Sequence, residues 1–240
     1  MNGSTRIIDV QAAVLGDNDG LAAELRGSLS ERGIFLVNVM GSPGSGKTSL
    51  LEALLPLLSP PLCPAVIEAD LDSRVDADAL EARGWRAVQL RTGGFCHLDA
   101  FMTRRGLQEL GLLPAELGVS DGEHHAGGTA ADPIFDIVFI ENVGNLICTA
   151  QVDTGAHLNL ALLSVPEGDD KPLKYPVMFA KADAVVVTKA DYLDRESFDV
   201  NEVGRRVQGI RPDSRIFPVS ARDGSGLTEL ARFLLERVRI

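Results

Sequence analysis

The sequence has few cysteines and few aromatic residues, and it contains no long apolar run. Only three of its 240 residues are cysteine, which argues against a disulfide framework and predicts free thiols in a reducing compartment. No apolar stretch reaches the roughly 20 residues that a transmembrane helix needs. Residues 1–9 also lack the basic-then-apolar order of a secretory signal. We therefore expect a cytoplasmic protein that does not bind membranes.

An excess of basic charge is also missing. The chain has 23 Lys and Arg residues against 34 Asp and Glu residues, for a formal net charge of −11. The phosphates of a nucleic acid would repel such a protein, so we do not expect a nucleic-acid partner. At this length the chain can bury a large core, and the length fits one α/β domain better than two.

The most informative motif is a glycine-rich turn between an apolar strand, Ile34 to Val39, and a predicted helix. Residues Gly41, Gly46, Lys47 and Thr48 match the phosphate-binding pattern G-x-x-x-x-G-K-[ST]. Glycines let backbone N–H groups close on phosphate oxygens, and a helix N-terminus attracts the same anion. We expect Lys47 to contact the β- and γ-phosphates and Thr48 to bind Mg²⁺. The predicted phosphate-binding residues are Gly41, Ser42, Pro43, Gly44, Ser45, Gly46, Lys47, Thr48 and Ser49.

A second motif, the four residues 188–191, follows another buried strand and predicts guanine recognition. The Asp191 carboxylate can accept hydrogen bonds from guanine N1–H and N2–H₂, and the Lys189 stem can lie along the base, with Thr188 beside them. Ser220 and Ala221, after the next strand, can present a backbone N–H to guanine O6. Because adenine would leave these groups unpaired, we favour GTP over ATP. The alternative is that Asp191 only caps a helix.

Two carboxylates end predicted strands beside the phosphate loop. Asp70 ends one strand, and Glu141 opens a loop that also contains Gly144. A carboxylate at such a position can hold Mg²⁺ or its water ligands, and a glycine lets a backbone N–H approach the γ-phosphate. We predict that Lys47, Asp70 and Glu141 are the catalytic residues, that Thr48, Asp70 and Glu141 are the Mg²⁺ site, and that Gly144 contacts nucleotide.

Short apolar strands alternate with amphipathic helices along the chain, which predicts a mostly parallel sheet with helices on both faces. Residues 1–33 are predicted to form an N-terminal helical segment packed on a nucleotide-binding domain at 34–240, within a single domain overall. Seven strands are predicted: Ile34 to Val39, Ala65 to Ala69, Ala87 to Leu90, Ile137 to Ile140, Leu160 to Val165, Ala184 to Val187 and Arg215 to Val219.

Cys96 and His97 are adjacent on a predicted turn, and Cys148 lies just beyond the Glu141 loop. Thiolate and imidazole are ligands for Ni²⁺ or Zn²⁺. Three ligands are incomplete for a four-coordinate site, and a second copy of the chain would supply more. From spacing alone, a metal site and two ordinary cysteines remain equally open. His124 and His125 are either extra ligands or part of a solvated loop, and we favour the loop.

With these residues in view, the chain resembles the HypB family, GTPases that help insert nickel into [NiFe]-hydrogenase. The resemblance spans most of the chain, from about Ile8 to the C-terminus. Its specific segments are CHLDA at residues 96–100, ENVGNLIC at 141–148 and EGDDKPLKYP at 167–176. Thr188 stands where the family usually has asparagine, and residues 122–131 look like an insertion.

The resemblance implies a P-loop NTPase fold of the SIMIBI type and GTPase activity. We expect GTP hydrolysis to be slow, since the sequence shows no certain water-orienting glutamine or arginine finger. The resemblance implies a homodimer favoured by GTP, with a Ni²⁺ or Zn²⁺ site at its interface built from Cys96, His97 and Cys148. It also implies two kinds of protein partner, an accessory protein that donates or accepts nickel and the precursor of a hydrogenase large subunit.

Three alternatives stay open. A urease-accessory GTPase shares the fold, but that family carries Cys-Pro-His where this chain has adjacent Cys96 and His97. A small-molecule kinase would use the same phosphate loop, but the guanine-reading motif argues against it. A regulatory GTPase without a metal site would differ in its response to nickel.

Overall fold

The strands of the chain form one sheet in which all neighbours run parallel. A computed structural model describes residues 7–9, 18–70, 75–114 and 135–238, and these contain eight strands in the order β1-β4-β3-β5-β2-β6-β7-β8. The strands are β1 (Ile7–Asp9), β2 (Phe35–Gly41), β3 (Pro64–Asp70), β4 (Arg86–Arg91), β5 (Ile137–Glu141), β6 (Leu158–Ser164), β7 (Ala184–Thr188) and β8 (Arg215–Pro218).

Helices and short helical turns connect these strands. The α-helices are α1 (Asn18–Glu31), α2 (Lys47–Leu58), α3 (Val75–Ala82), α4 (Ala100–Glu109), α5 (Cys148–Gln151), α6 (Lys171–Lys174), α7 (Pro176–Lys181), α8 (Val200–Ile210) and α9 (Leu227–Val238). Two 3₁₀ turns, Val165–Glu167 and Ala190–Tyr192, follow β6 and β7. Parallel strands require such crossover connections, because a tight turn can join only antiparallel neighbours.

The two faces of the sheet are covered by different helices, and each face has its own core. On one face, α2, α3 and α9 pack on side chains such as Val37, Val39 and Leu160. On the other face, α1 and α4 cover one half of the sheet and α7 and α8 cover the other half. Strands buried on both faces must be apolar at nearly every position, which explains the continuous apolar runs in the sequence.

The predicted α/β architecture with a mostly parallel sheet is confirmed, and the strand count needs one correction. The sheet has eight strands where the sequence pattern predicted about seven. The unpredicted strand is β1, which pairs with β4 through Ile7 and Gln89 at the edge of the sheet. Its three residues are too short to give a periodic pattern, and only the long-range pairing identifies them as a strand.

The segment before β2 contains β1 and α1, and α1 packs against α4. The division at residue 33 stays a prediction. His124, His125 and the proposed insertion at 122–131 lie outside the described residues. Among the residues that are described, no helix is long and apolar enough to cross a bilayer.

Candidate functional site

The phosphate loop joins β2 to α2 and has the backbone conformation that its glycines permit. Gly44 and Gly46 have φ angles of 73° and 89°, which side chains with a Cβ rarely adopt. At Gly41 a Cβ would lie 2.6 Å from Ser45 Oγ. The loop therefore needs glycine at these positions to leave its backbone N–H groups open toward an anion.

Lys47 and Thr48 begin α2 at the base of this loop. Lys47 is almost fully buried, and its Nζ lies 3.4 Å from the Ser42 carbonyl oxygen. The Thr48 hydroxyl donates a hydrogen bond to Oε1 of the buried Glu141, at 2.7 Å. The structure thus brings together the hydroxyl and one of the carboxylates predicted for Mg²⁺, and such hard oxygen donors suit that ion.

The two predicted carboxylates, Glu141 and Asp70, end different strands, and only one of these strands is next to β2. Glu141 ends β5, which lies directly beside β2, and Glu141 pairs with Val39 in the register. Asp70 ends β3, one strand farther out, and its carbonyl oxygen accepts a hydrogen bond from the Thr92 N–H. Glu141 therefore lies on the strand next to the phosphate loop and contacts Thr48 directly.

Four of the five predicted base-recognition residues line one cavity next to α2, and the fifth, Ser220, is buried behind Asp191. The cavity volume is about 630 Å³, which is large enough for a nucleoside. The Asp191 carboxylate accepts a hydrogen bond from the Ser220 hydroxyl at 3.0 Å, and Lys189 Nζ donates to the Gly44 carbonyl oxygen at 2.8 Å. The lining includes Gly46, Thr188, Lys189, Asp191, Tyr192 and Ala221.

The Thr188 side chain connects the wall of this cavity to the phosphate loop. Its buried hydroxyl donates to the Ser45 carbonyl oxygen at 2.6 Å, and Lys189, with a φ angle of 57°, turns the chain immediately afterwards. The cavity wall and the phosphate loop, which are far apart in sequence, are therefore joined by a direct hydrogen bond.

Glu167, a residue with no predicted role, contacts the phosphate loop. Ser42 Oγ donates a hydrogen bond to one Glu167 carboxylate oxygen. The other oxygen accepts from the N–H and the hydroxyl of Ser164, at 2.9 and 2.7 Å. In the sequence, residues 167–176 indicate only a family resemblance. The contact between Glu167 and Ser42 depends on the packing of β6 beside β2.

Cys96, His97 and Cys148 lie together at one end of the sheet. One ligand atom from each lies within 4.8 Å of the others, and all three residues are partly buried. Phe95, which is 40% exposed, lies edge-on to the His97 ring with a centroid separation of 6.4 Å. Across the residues that the structure covers, this is the one group of three such side chains placed to hold a metal ion.

The Cys96 thiol has an altered acidity. Interaction with the neighbouring Cys148 thiol, together with burial, raises the pKa of Cys96, and Cys96 Sγ lies 3.8 Å from His97 Nδ1. The two sulfur atoms lie within 4.8 Å of each other, whereas sequence spacing alone could not decide between a shared site and two separate cysteines. A soft metal ion would have to displace the thiol protons on binding.

The loop that carries Cys148 is bonded directly to the phosphate loop. The Asn145 N–H donates to the Gly41 carbonyl oxygen at 3.1 Å, and Asn145 Oδ1 accepts from the Cys148 N–H at 2.9 Å. Gly144 packs so closely on Pro43 that a Cβ there would lie 2.9 Å from the proline nitrogen. Asn145, another residue without a predicted role, links the two sites.

Known proteins resemble this chain over most of its length. The family described as CobW/HypB/UreG, nucleotide-binding domain, matches residues 35–218. The hydrogenase/urease maturation factor HypB of Helicobacter pylori strain J99 is 40% identical over 238 residues, which cover 99% of this chain and 91% of that protein.

Two solved structures resemble it as well. The crystal structure of HypB from Helicobacter pylori in complex with nickel superimposes with a TM-score of 0.80 at 39% identity, covering 93% of this chain and 96% of that chain. The structure of hydrogenase maturation factor HypB from Archaeoglobus fulgidus gives a TM-score of 0.78 at 30% identity, with coverage of 93% and 100%.

Proposed function

The chain belongs to the HypB family of the CobW/HypB/UreG group, and on that premise we propose that it is a GTP-hydrolysing metallochaperone. It would deliver nickel during maturation of a [NiFe]-hydrogenase. Nickel is the cargo, and GTP binding and hydrolysis control when the metal is held and when it is released.

One observation carries this proposal. The ligand atoms of Cys96, His97 and Cys148 lie within 4.8 Å of one another, and Asn145 bonds both to Cys148 and to Gly41 of the phosphate loop. A soft-ligand site and a phosphate site that share one loop can influence each other, as a nucleotide-controlled metal carrier requires.

GTP is the proposed nucleotide because the cavity beside Asp191 offers a carboxylate to the guanine edge. The proposed Mg²⁺ residues are Thr48, Glu141 and Asp70. Thr48 and Glu141 are in contact, and Asp70 ends β3, the strand next to β5. Mg²⁺ bound with GTP neutralises charge that develops on the β- and γ-phosphate oxygens. Lys47 contributes a second cation. We expect slow turnover, since the sequence offers no glutamine or arginine with a clear role in orienting water.

A homodimer favoured by GTP is the proposed working state. Three ligands leave a four-coordinate site incomplete, and a second copy would add its own set across a two-fold axis. Zn²⁺ would suit the same ligands as Ni²⁺. The proposed protein partners are an accessory protein that exchanges nickel and the precursor of the hydrogenase large subunit.

The direct test is a Ni²⁺ titration followed by thiolate-to-metal absorbance, with GDP and then with a non-hydrolysable GTP analogue. We expect different Ni²⁺ affinities in the two states. Cys148→Ala should remove most of that difference while GTP still binds. Cys63→Ala is the matched control, because Cys63 is a partly buried thiol outside the group. Equal Ni²⁺ affinities in both states of the parent protein would refute the coupling.

Urease is a second candidate acceptor of the nickel. The Helicobacter pylori relative is named as a factor for both hydrogenase and urease, and the ligand set does not distinguish the two acceptors. Transfer of ⁶³Ni from the loaded protein to each apo-enzyme precursor, with its accessory proteins present, would decide between them.

A further inference from the structure

Three asparagine side chains form a continuous hydrogen-bonded ladder through the sheet, and the ladder ends at the Cys-His turn. Asn142 Nδ2 donates to Asn38 Oδ1 at 3.0 Å, and Asn38 Nδ2 donates to Asn159 Oδ1 at 2.9 Å. Asn142 and Asn38 are buried, being 1% and 2% exposed. Three amides in contact at the centre of an apolar sheet need a reason, because buried polar groups are costly unless they are fully paired.

The contacts of Asn142, at the end of the ladder near Cys96 and His97, explain which amide donates to which. Asn142 Oδ1 accepts two backbone hydrogen bonds, from Leu98 at 3.2 Å and from Val143 at 2.9 Å. A side-chain amide has one oxygen and one nitrogen, so its Nδ2 must then face Asn38. Asn38 in turn must accept from Asn142 and donate to Asn159. The orientation of all three amides therefore follows from two backbone N–H groups beside the metal ligands.

Asn142 lies between the turn that carries Cys96 and His97 and the loop that leads to Cys148. Leu98 directly follows Cys96 and His97 in the chain, whereas Val143 begins the loop that leads to Cys148. One oxygen atom thus fixes the separation of two backbone segments that carry all three ligands. The backbone of Asn142 is itself anchored, since its N–H donates to the Val39 carbonyl oxygen at 3.1 Å.

The far end of the ladder is less constrained. Asn159 is partly buried and lines a polar cavity of about 430 Å³ that also includes Asp153, Lys181 and Asp183. Its backbone N–H donates to Asp183 Oδ2 at 2.7 Å. Of the three amides, only that of Asn159 is not fully buried, so it is the one that can reverse its orientation most readily.

We propose that Asn142 is a positioning residue for the metal site, and that Asn38 holds its amide in the required orientation. By bonding Leu98 and Val143 with one oxygen, Asn142 keeps the Cys96-His97 turn and the Cys148 loop in one register. Its role as a determinant of nickel affinity rests on the proposed function. Its role in bringing the two cysteines together does not.

The first test measures the Leu98 amide and the nickel affinity. Asn142→Ala should speed hydrogen exchange at the Leu98 N–H by about tenfold. It should also weaken Ni²⁺ binding by about tenfold to a hundredfold, as loss of an outer-shell partner does. GDP affinity should stay within about twofold. Asn142→Asp keeps an acceptor oxygen for the Leu98 N–H and should preserve its protection from exchange. The Asn38 and Asn159 amides can each turn over, so that Asn38 donates to the new carboxylate and Asn159 donates to Asn38. Asn201→Ala, an exposed asparagine on α8, should change nothing.

The second test does not depend on metal. In a Cys63→Ala background, a short bifunctional thiol reagent should bridge Cys96 and Cys148 in the parent, and Asn142→Ala should slow the bridging by about fivefold or more. If the parent bridges in this way but binds no Ni²⁺ through its cysteines, the proposed function fails while the positioning role stands.

Two results would overturn the proposal. One is an unchanged bridging rate in Asn142→Ala. The other is a parallel fall in nickel affinity, GDP affinity and melting temperature, which would mean that the residue only supports the fold. If Asn142→Ala does not fold, Asn142→Ser decides the matter, since its hydroxyl is shorter than the amide and should release Leu98 in the same way.

Discussion

The Ser220 hydroxyl donates a hydrogen bond to Oδ1 of Asp191 at 3.0 Å, and Ser220 itself is fully buried. Ser220 follows β8 and Asp191 follows β7, so the bond joins the ends of two neighbouring strands. The second carboxylate oxygen of Asp191 lies 3.8 Å from Arg222 Nη1. Ser220 therefore fixes the orientation of the Asp191 carboxylate.

The base preference should change in Asp191→Asn. An amide nitrogen facing guanine would place donor against donor, whereas xanthine has a carbonyl oxygen at that position. We expect GTP affinity to fall by about tenfold or more and XTP to become the preferred nucleotide. Competition binding with GTP and XTP measures this. Asp194→Asn, an exposed carboxylate nearby, is the control. Full retention of the GTP preference would show that Asp191 does not recognise the base.

Hydrolysis should depend on Lys47. The buried ammonium sits under the phosphate loop, 3.4 Å from the Ser42 carbonyl oxygen, and Lys47→Ala leaves no replacement cation within the loop itself. We expect turnover to fall by about a hundredfold or more, with weaker nucleotide binding. Phosphate release under single-turnover conditions measures it, and Lys181→Ala provides an exposed lysine control. Turnover close to the parent rate would contradict the assignment.

Nucleotide should change the oligomeric state. A GTP analogue with Mg²⁺ should favour the dimer and GDP the monomer, because ligand binding shifts such an equilibrium only if its contacts differ between the two states. Multi-angle light scattering over a range of protein concentrations gives the mass directly. The same mass with both nucleotides at every concentration would rule out a GTP-favoured dimer.

A methyl group at position 144 should push the loop that follows β5 away from the phosphate loop. In Gly144→Ala the new Cβ would lie 2.9 Å from the Pro43 nitrogen and ring, so the backbone of one loop must move. We expect a loss of stability of about 1–3 kcal/mol and a larger loss of affinity for the GTP analogue than for GDP. Gly209→Ala on α8 meets nothing within 4 Å and should not destabilise. Unchanged affinity for both nucleotides would show that the contact is irrelevant to nucleotide binding.

His157 should make the fold sensitive to mild acid. Burial, together with the charge of Arg26, lowers the pKa of His157, and Nδ1 accepts a hydrogen bond from the Leu36 N–H at 2.9 Å. The unfolded chain thus binds a proton more readily than the folded chain. The stabilisation is complete above the ordinary histidine pKa of about 6.5 and is lost as the pH falls through that value toward the lower folded pKa.

Urea unfolding at pH 7.5 and at pH 5.5 measures this dependence. His157→Asn keeps an acceptor for Leu36 but does not titrate, so the difference between the two pH values should be smaller in the variant. Parent and variant curves that shift equally with pH would assign the acid sensitivity to other groups.

The family and the fold class could both be predicted from the sequence, and both are confirmed. The pattern at Gly41 to Thr48 works because it is local: a strand, a turn with positive φ angles and a helix start follow one another directly. The carboxylates at Asp70, Glu141 and Asp191 were predicted as site residues because polar residues directly after buried strands meet at one edge of a parallel sheet.

Other contacts could not be predicted, because they join side chains from strands whose neighbours are not consecutive in the chain. β2 lies between β5 and β6, and only this order places Glu167 on Ser42 and Asn38 between Asn142 and Asn159. A one-residue shift in strand register would turn Asn38 to the opposite face. No pattern in a single sequence specifies that register.

The sequence by itself therefore determined which chemical groups this protein has available: a phosphate-loop motif, carboxylates directly after buried strands, and two cysteines with an adjacent histidine. These depend on residue types and short spacings, which act through local backbone conformation. Only the tertiary structure decided that Cys96, His97 and Cys148 lie within 4.8 Å of one another and that asparagine side chains bond their loops together. Those distances depend on how β4, β5 and β2 are ordered and registered, and hydrophobic burial of both faces of the sheet sets that arrangement over the whole chain.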